Sequence, residues 1–425
     1  MVEKLIELAL KNRLIVLLLA AGLFAWGIYS MRKNPIDAIP DLSENQVIVF
    51  TEWMGRSPQV IEDQVTYPLV SNLQGIPKVK NIRGTSMFGM SFVYIIFEDD
   101  ADIYWARTRV LERLNYAQRL LPQGITPTLG PDGTGVGHIF WYHLEAPNMD
   151  LGEQRSLQDW YIKFALQNVP GVAEVASFGG FQKQYQIVIE PHKLTYYGLT
   201  LMDVLKAVKA NNNDVGGRKF EMTDMAYIIR GLGYIKSIED IENMPVSMKN
   251  SIAIKIKDIG RVQMGGDLRL GIFDMNGTGE VVGGIVVMRY GENADKVIKA
   301  VKAKIKEVEK GLPDGVKFKI SYDRSTLIEE AVESVKGTLI EEIVTVSVVI
   351  LLFLFHWRSA LIIIIQLPIS VAIGFILLEA FGISSNIMSL TGIALAIGVV
   401  VDDGIVMVEN AYRHIAEEQE RKEPV

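Results

Sequence analysis

LQGIPKV, at Leu73–Val79, returns as LQNVPGV at Leu166–Val172. Each copy follows a run with helical spacing and precedes an alternating segment, FVYIIFE at Phe92–Glu98 and QYQIVIE at Gln184–Glu190. LPQGITPTL, from Leu121, likewise returns as LPDGVKFKI, from Leu312. The first copy reads strand (Val47–Thr51), helix (Pro58–Gln74), strand, strand, helix (Ile103–Leu120), strand. That order, with the apolar period switching between 2 and 3.6, predicts a ferredoxin-like βαββαβ unit over 33–135. The second copy runs from Ile139 to Ser321, as 136–193 and 277–335, with an insert after its third strand. The insert, 194–276, has its own helix (Leu201–Ala210) and short strands (Tyr227–Arg230, Ile252–Ile256), and is expected to form a subdomain. Two related units side by side predict a cleft between them.

Outside these units the chain turns apolar. Of 425 residues, 49% are hydrophobic, and the excess sits in long runs. Leu14–Met31 has no charge over about 18 residues, the lower end for a spanning helix. No small-x-small cleavage site follows it, so it reads as an uncleaved membrane helix within 1–32 and not as a signal peptide. Further spans are expected at Leu339–Phe355, Ala360–Phe381 and Ile387–Tyr412, within 336–412, with a tail at 413–425. Pro368 is expected to kink the third span, which membrane helices tolerate. The fold class expected is thus an α+β membrane protein with four transmembrane helices and a large exported region. Lys4, Lys11 and Arg13 precede the first span, Arg358 lies between the second and third, and Arg413, Arg421 and Lys422 follow the fourth. The positive-inside rule places both termini in the cytoplasm, with Arg32 and Lys33 as exceptions at the start of a long exported region.

A net charge of −7 without blocks of like charge suggests no nucleic-acid partner. The absence of cysteine removes disulfides, thiolate metal sites and cysteine nucleophiles. GPDGTGVG (Gly130–Gly137) lacks the Lys-Ser/Thr of a phosphate loop and reads as a linker between the repeats. His138 and His143 point to opposite faces of one strand, so a shared metal is not expected. No Ser-His-Asp or paired-carboxylate arrangement is visible in the exported part, and an enzyme is poorly supported. Met87 and Met90, in SMFGMSF, offer soft thioethers suited to Cu(I) or Ag(I), although flexible core filling is the plainer reading.

Asp402 and Asp403, in AIGVVVDDGIVMVEN (Ala396–Asn410), are harder to explain as structure. One carboxylate at the centre of a spanning helix costs about 2.5–3.5 kcal/mol, and such residues mark ion or proton paths. Two adjacent ones repel and titrate as a coupled pair. On a helical projection Met388, Thr391, Gly398 and Glu409 share the direction of Asp402, and Met407 lies one turn from Asp403. This stripe of small, polar and sulfur-bearing residues is expected to face a helix bundle. A buried ion pair is the structural alternative, but the four spans contain no central Lys or Arg.

GVVVDDGIVMVEN resembles the fourth-helix motif of the resistance-nodulation-division (RND) transporters. NPIDAIPDLSENQVIV (Asn34–Val49), SPQVIEDQVTYPL (Ser57–Leu69), FEDDADIYWARTRVLERL (Phe97–Leu114), GPDGTGVG and RSLQDWYIKFALQNVPGVAEVASFGG (Arg155–Gly180) are similar to its heavy-metal efflux branch, most of all to the inner-membrane copper/silver pumps. The resemblance runs along the whole chain and corresponds to the first half of such a transporter through its fourth helix, so it implies a partial copy. It implies a proton relay at Asp402 and Asp403, coupled to lysine and acidic partners on the missing C-terminal half. It implies porter roles for the two βαββαβ units and a docking role for the insert, a homotrimer, a periplasmic adaptor and an outer-membrane channel. The cargo implied is Cu(I)/Ag(I), with Met388 and Met407 on the metal path and no resident cofactor. Asp403 stands where some metal pumps have Ala, as in the drug-exporting branch. Export of divalent cations or drugs is the alternative within the class. A membrane-anchored periplasmic binding or sensing module is the alternative outside it, but it has no use for carboxylates within a bilayer.

Overall fold

The structure is a computed structural model that describes residues 7–9, 11–222, 225–249, 251–269, 271–354 and 357–422. Helix α1 (Arg13–Lys33) leads through an extended strap to the first unit. There β1 (Gln46–Glu52), the helical segment α2 (58–73), β2 (Val79–Met87), β3 (Met90–Phe97), α3 (Ile103–Ala117) and the short β4 (Thr128–Leu129) follow in order. The strands form one sheet in the order β2-β3-β1-β4, with antiparallel pairing throughout. Val47, Val49, Val93 and Ile95 alternate inward and meet Ile61, Leu69, Val110 and Leu114 of the helices in one closed core. Asp102 caps α3 through the backbone N–H of Trp105.

The second unit repeats this arrangement with β5 (His138–Glu145), α4 (151–167) and β6 (Val172–Phe178). Its sheet is completed only about 100 residues later, which corrects the strand assignment made from sequence. Gln184–Glu190 is not its third strand. That run falls in β7 (Lys183–Ile189) and pairs with a strand of the insert; Gly283–Met288 is the third strand instead. The insert therefore follows the second strand, and 183–193 go with it. The physical reason lies in burial. QYQIVIE alternates because β7 has one face exposed, whereas GGIVVM is buried at every position between two neighbours. A central strand covered on both faces loses the alternation that identifies a strand in sequence.

The insert comprises α5 (Pro191–Tyr197), α6 (Leu201–Asn211), β8 (Val215–Met222), β9 (Met225–Gly231), α7 (Ile238–Glu242), β10 (Pro245–Lys249), β11 (Ile252–Lys255), α8 (Ile256–Ile259) and β12 (Gly260–Gly266), the partner of β7. Val204, Ile241, Ile254, Ile256 and Ile259 give it a core of its own. The β8–β9 hairpin leaves that core, and every residue of β9 is exposed. The second unit then closes with β13 (Gly283–Met288), α9 (Ala294–Val308) and β14 (Lys317–Asp323), giving the sheet order β14-β5-β13-β6. The sheets of the two units thus share one topology: in each, the first and third strands are central, and the fourth and second lie at the edges. The glycine-rich linker is packed close, for a Cβ on Gly133 would stand 2.6 Å from Val287 and 2.9 Å from the carbonyl of Met288.

Helix α10 (Arg324–Leu354) starts directly after β14, and Ile328 belongs to the second unit's core. At about 1.5 Å per residue it is a rod of roughly 46 Å. Next come α11 (Trp357–Ala380) and α12 (Ile387–Lys422). Among the described residues three helices are long and apolar enough to cross a membrane: Arg13–Lys33, Leu361–Ala380 and Ile387–Ile415. Of the expected span Leu339–Phe355, the described part ends at Leu354; Phe355 lies outside the described residues, as do Lys4 and the last three residues of the tail. Helices α1 and α11 run parallel, since Gly27 meets Ala372 and Lys33 meets Glu379 at 2.7 Å. A Cβ on Gly27 would lie 2.4 Å from that of Ala372, so this crossing depends on a missing side chain. Gly27→Leu is expected to lose about 1–3 kcal/mol through overpacking, read as a lower midpoint of thermal unfolding in detergent.

Candidate functional site: the carboxylate helix and its strap

Helix α12 begins at a dense polar turn. The Asn386 side chain accepts from the backbone N–H of Ser389 at 3.0 Å, and the Ser389 hydroxyl accepts from that of Asn386 at 2.9 Å. This reciprocal cap fixes the start of the helix. The chain between α1 and β1 is bonded to the same turn. Asn34 donates to the Ile383 carbonyl at 3.0 Å and to the Ser385 hydroxyl at 2.9 Å. Ile36 and Ser385 form a parallel bridge, Asp37 N–H donates to the Ser385 carbonyl, and Ile387 N–H donates to that of Ala38.

The other side of this strap belongs to the second unit. Ala38 is fully buried in that unit's core, and Ile36 packs against it. Asp37 meets the guanidinium of Arg324 at 2.9 Å, with the two side chains 16% and 3% exposed. Arg324 also donates to the Val136 carbonyl in the linker. Burial pushes the Asp37 carboxyl above its ordinary value, and the charge of Arg324 pulls it back. One buried ion pair therefore joins the first residue of α10, the linker between the units and the strap that holds the start of α12.

Along α12, Ile397, Val401 and Gly404 turn toward α10 and α11, where Ile350, Ile363 and Leu367 receive the apolar side chains, and Leu390 is buried in the same direction from the axis. At Gly404 a Cβ would stand 3.1 Å from Oε1 of Gln366, so a mid-helix amide of α11 lies beside the carboxylate turn. Asp402 and Asp403 are exposed, near the middle of the apolar part of the helix. Met388, Thr391, Gly398 and Glu409 are exposed with Asp402, as the projection predicts. The expected cover over this stripe does not come from α10 or α11, because the packed residues lie on the opposite side. Met407, 64% exposed, lies one turn beyond Asp403. Met388, 66% exposed, lies 14 positions before Asp402, about 21 Å along the axis. It sits beside the polar turn, at the end of the helix nearest the two sheet-bearing units. The aspartates and Met407 thus share one region; Met388 does not join them.

Met87 and Met90 lie far away in sequence and fold, opposite each other at the tip of the β2–β3 hairpin. His143 is bonded to Ser321 at 2.9 Å, and among the described residues no three His, Cys, Asp or Glu side chains gather as a metal site. A cleft of about 690 Å³ separates the units, between Phe50, Leu129 and Pro131 on one side and Trp160, Phe164 and Glu174 on the other, with no methionine or histidine in its lining. Three polar residues near the carboxylate helix escaped the sequence reading: Asp37, Arg324 and Gln366. Gln366 had a signal, a lone amide inside LIIIIQLPIS. Asp37 and Arg324 had none, being about 290 positions apart.

Residues 5–424 match the AcrB/AcrD/AcrF family. The chain belongs to this RND family. It is 46% identical over 422 residues to the cation efflux system protein CusA of Escherichia coli K12, covering 99% of this chain and 40% of that protein. It is also 46% identical over 420 residues to the cation efflux system protein SilA of Salmonella typhimurium, covering 98% of this chain and 40% of the relative. A crystal structure of a heavy metal efflux pump superposes on the chain with a TM-score of 0.86 at 34% identity, covering 96% of this chain and 41% of the other. The chain thus spans about two fifths of the length of these relatives.

Proposed function

We propose that this chain carries the proton-relay part of an inner-membrane RND pump that exports heavy-metal cations, Cu(I)/Ag(I), in exchange for protons. The observation that carries this reading is the pair Asp402 and Asp403, on the face of α12 turned away from α10 and α11. Carboxylates held at mid-bilayer, with no Lys or Arg among the described residues of the apolar parts of α10 and α11, suit reversible protonation. Similarity to cation efflux proteins over nearly the whole chain supports the transport class. Met388 and Met407 on the carboxylate face, with no cluster of hard ligands among the described residues, favour a soft monovalent cargo over zinc or cobalt.

In this reading the spans number four, with Leu339–Phe355 as the second, and both termini lie in the cytoplasm. The parallel run of α1 and α11 suits that arrangement, for it brings the end of α1 and the start of α12 to the side of the large units. Those units are ferredoxin-like porter subdomains, and the insert is a docking subdomain toward an outer-membrane channel, reached with a periplasmic adaptor. The β8–β9 hairpin supports assembly as a trimer. A two-stranded ribbon exposed along its length is marginal in water and gains stability against a neighbouring subunit. Protonation removes charge from the α12 face and shifts the helix, and the strap at Asn34–Ala38 passes that shift to the second unit.

The full-length pump is tested in cells that lack their own exporters. Resistance to copper and silver, with little gain against zinc or cobalt, is expected; resistance to zinc and cobalt alone overturns the soft-metal assignment.

A further inference from the structure

The tip of the β2–β3 hairpin combines features that neither the core nor the carboxylate helix uses. Met87 and Met90 are the residues that close its two-residue turn, Phe88–Gly89, and face each other directly across the strands. Directly opposed residues project to the same side of a sheet. Burial identifies that side: Ser91, Val93 and Ile95 of β3 point to the helices, so Met90, and Met87 with it, stand on the helix-free face. The turn needs glycine, since Gly89 has φ of +72°.

The structure adds a third sulfur that the spacing in SMFGMSF does not reveal. The segment after β1 is tied to the turn from both sides: Trp53 N–H donates to the Gly89 carbonyl at 2.7 Å, and Gly89 N–H donates to the Arg56 carbonyl at 3.0 Å. Between these bonds Met54 folds over the glycine, and its Sδ stands 3.0 Å from where a Cβ on Gly89 would be. Three thioether-bearing residues from two separate segments therefore stand at one hairpin tip, Met87 and Met90 flanking the turn and Met54 packed on its glycine. They are reachable from solvent, for Met54 and Met87 are each 50% exposed and Met90 is half-buried. Core filling, the plain explanation of a methionine, does not describe half-exposed side chains beyond the end of the core.

We propose that Met54, Met87 and Met90 form a solvent-facing binding site for a soft monovalent cation, Cu(I) or Ag(I). Thioethers are neutral, polarisable donors that favour Cu(I) and Ag(I) over zinc, magnesium or calcium, which take imidazole, thiolate or oxygen. Long unbranched side chains on a tight turn can converge on an ion without moving the backbone, and neutral donors release it again readily. The site deepens the soft-metal reading of the pump as a place where cargo is held outside the membrane. Its binding chemistry can be measured without transport.

The test uses the whole protein in detergent, equilibrated with Ag(I) against a competing soluble thioether. Met54, Met87 and Met90 are replaced together by leucine, which keeps volume and apolar character and removes only sulfur. The triple variant is expected to bind one Ag(I) fewer per chain than the parent, with Zn(II) binding unchanged. Equal Ag(I) binding by parent and variant overturns the site. Should the variant misfold, the ε-methyl carbon resonances of the three methionines in the unaltered protein serve instead: all three are expected to shift with Ag(I), and no shift overturns the site. Silver binding at the tip of a pump that confers no copper or silver resistance leaves the site standing and defeats the transport reading. Resistance without binding at the tip does the reverse.

Discussion

Asp402→Asn in the full-length pump is expected to reduce metal resistance to that of cells with no pump, at unchanged protein level in the membrane. Asparagine keeps the size and the hydrogen-bonding capacity of the side chain and removes only its ability to gain and lose a proton. Carrying an ionisable carboxylate to mid-bilayer costs about 2.5–3.5 kcal/mol, so a purely structural residue there would be replaced by the amide with a gain in stability. The expected result is therefore a split: resistance is lost while the thermal midpoint holds or rises. Asp403→Asn is expected to impair transport as well, because it removes the second of the two carboxylates on this part of the helix. Full resistance with Asp402→Asn would sink the proton-relay reading, whatever the metal.

Arg324→Ala carries the second large effect, on stability. It leaves Asp37 buried without its cation, and removing one partner of a buried ion pair costs about 3–5 kcal/mol. Replacing both, as Asp37→Leu with Arg324→Met, is expected to recover most of that loss, since the desolvation cost goes with the charges. Denaturant unfolding of the protein in detergent measures both variants. The loss depends on pH in a definite direction. Burial already raises the Asp37 carboxyl in the folded state, and without Arg324 it is opposed by the backbone N–H groups of Ala38 and Ile39. A folded-state value above the unfolded one means that the folded chain binds the proton more tightly. Stability is then highest below the ordinary carboxylate range and falls as pH rises through the raised value. Arg324→Ala is thus expected to be milder in acid than at neutral pH. A loss that grows on acidification would contradict this account of the pair.

The recovered double variant separates holding from transmitting. The strap contacts the second unit through Ala38 and Asp37, and the turn before α12 through Asn34 and Ile36, which both meet Ser385. A pump as stable as the parent but weaker in transport would locate part of the coupling in this ion pair.

Much of this protein is legible in one dimension because its strongest signals are local. The duplication is announced by LQGIPKV and LQNVPGV, and alternation over Phe92–Glu98 marks a half-buried strand correctly. The exposed stripe of α12 follows from 100° per residue, since a helix converts spacing into direction without reference to anything else. Where the same logic failed, it failed for a reason. QYQIVIE carries the pattern of a strand with one open face, and the insert supplied a partner that leaves one face open. GGIVVM, buried on both sides, had no pattern to show.

The sequence alone thus determined the mixed α and β content, the repeated unit, the apolar helices and the presence of two adjacent carboxylates in one of them. The third strand of the second sheet, the Asp37–Arg324 pair, the approach of Gln366 to Gly404 and the meeting of Met54 with the β2–β3 turn were decided by the tertiary structure. Each joins segments whose separation in sequence bears no relation to their separation in space. Helical and strand periods describe a residue's direction from its own axis, and only packing decides which other axis stands there.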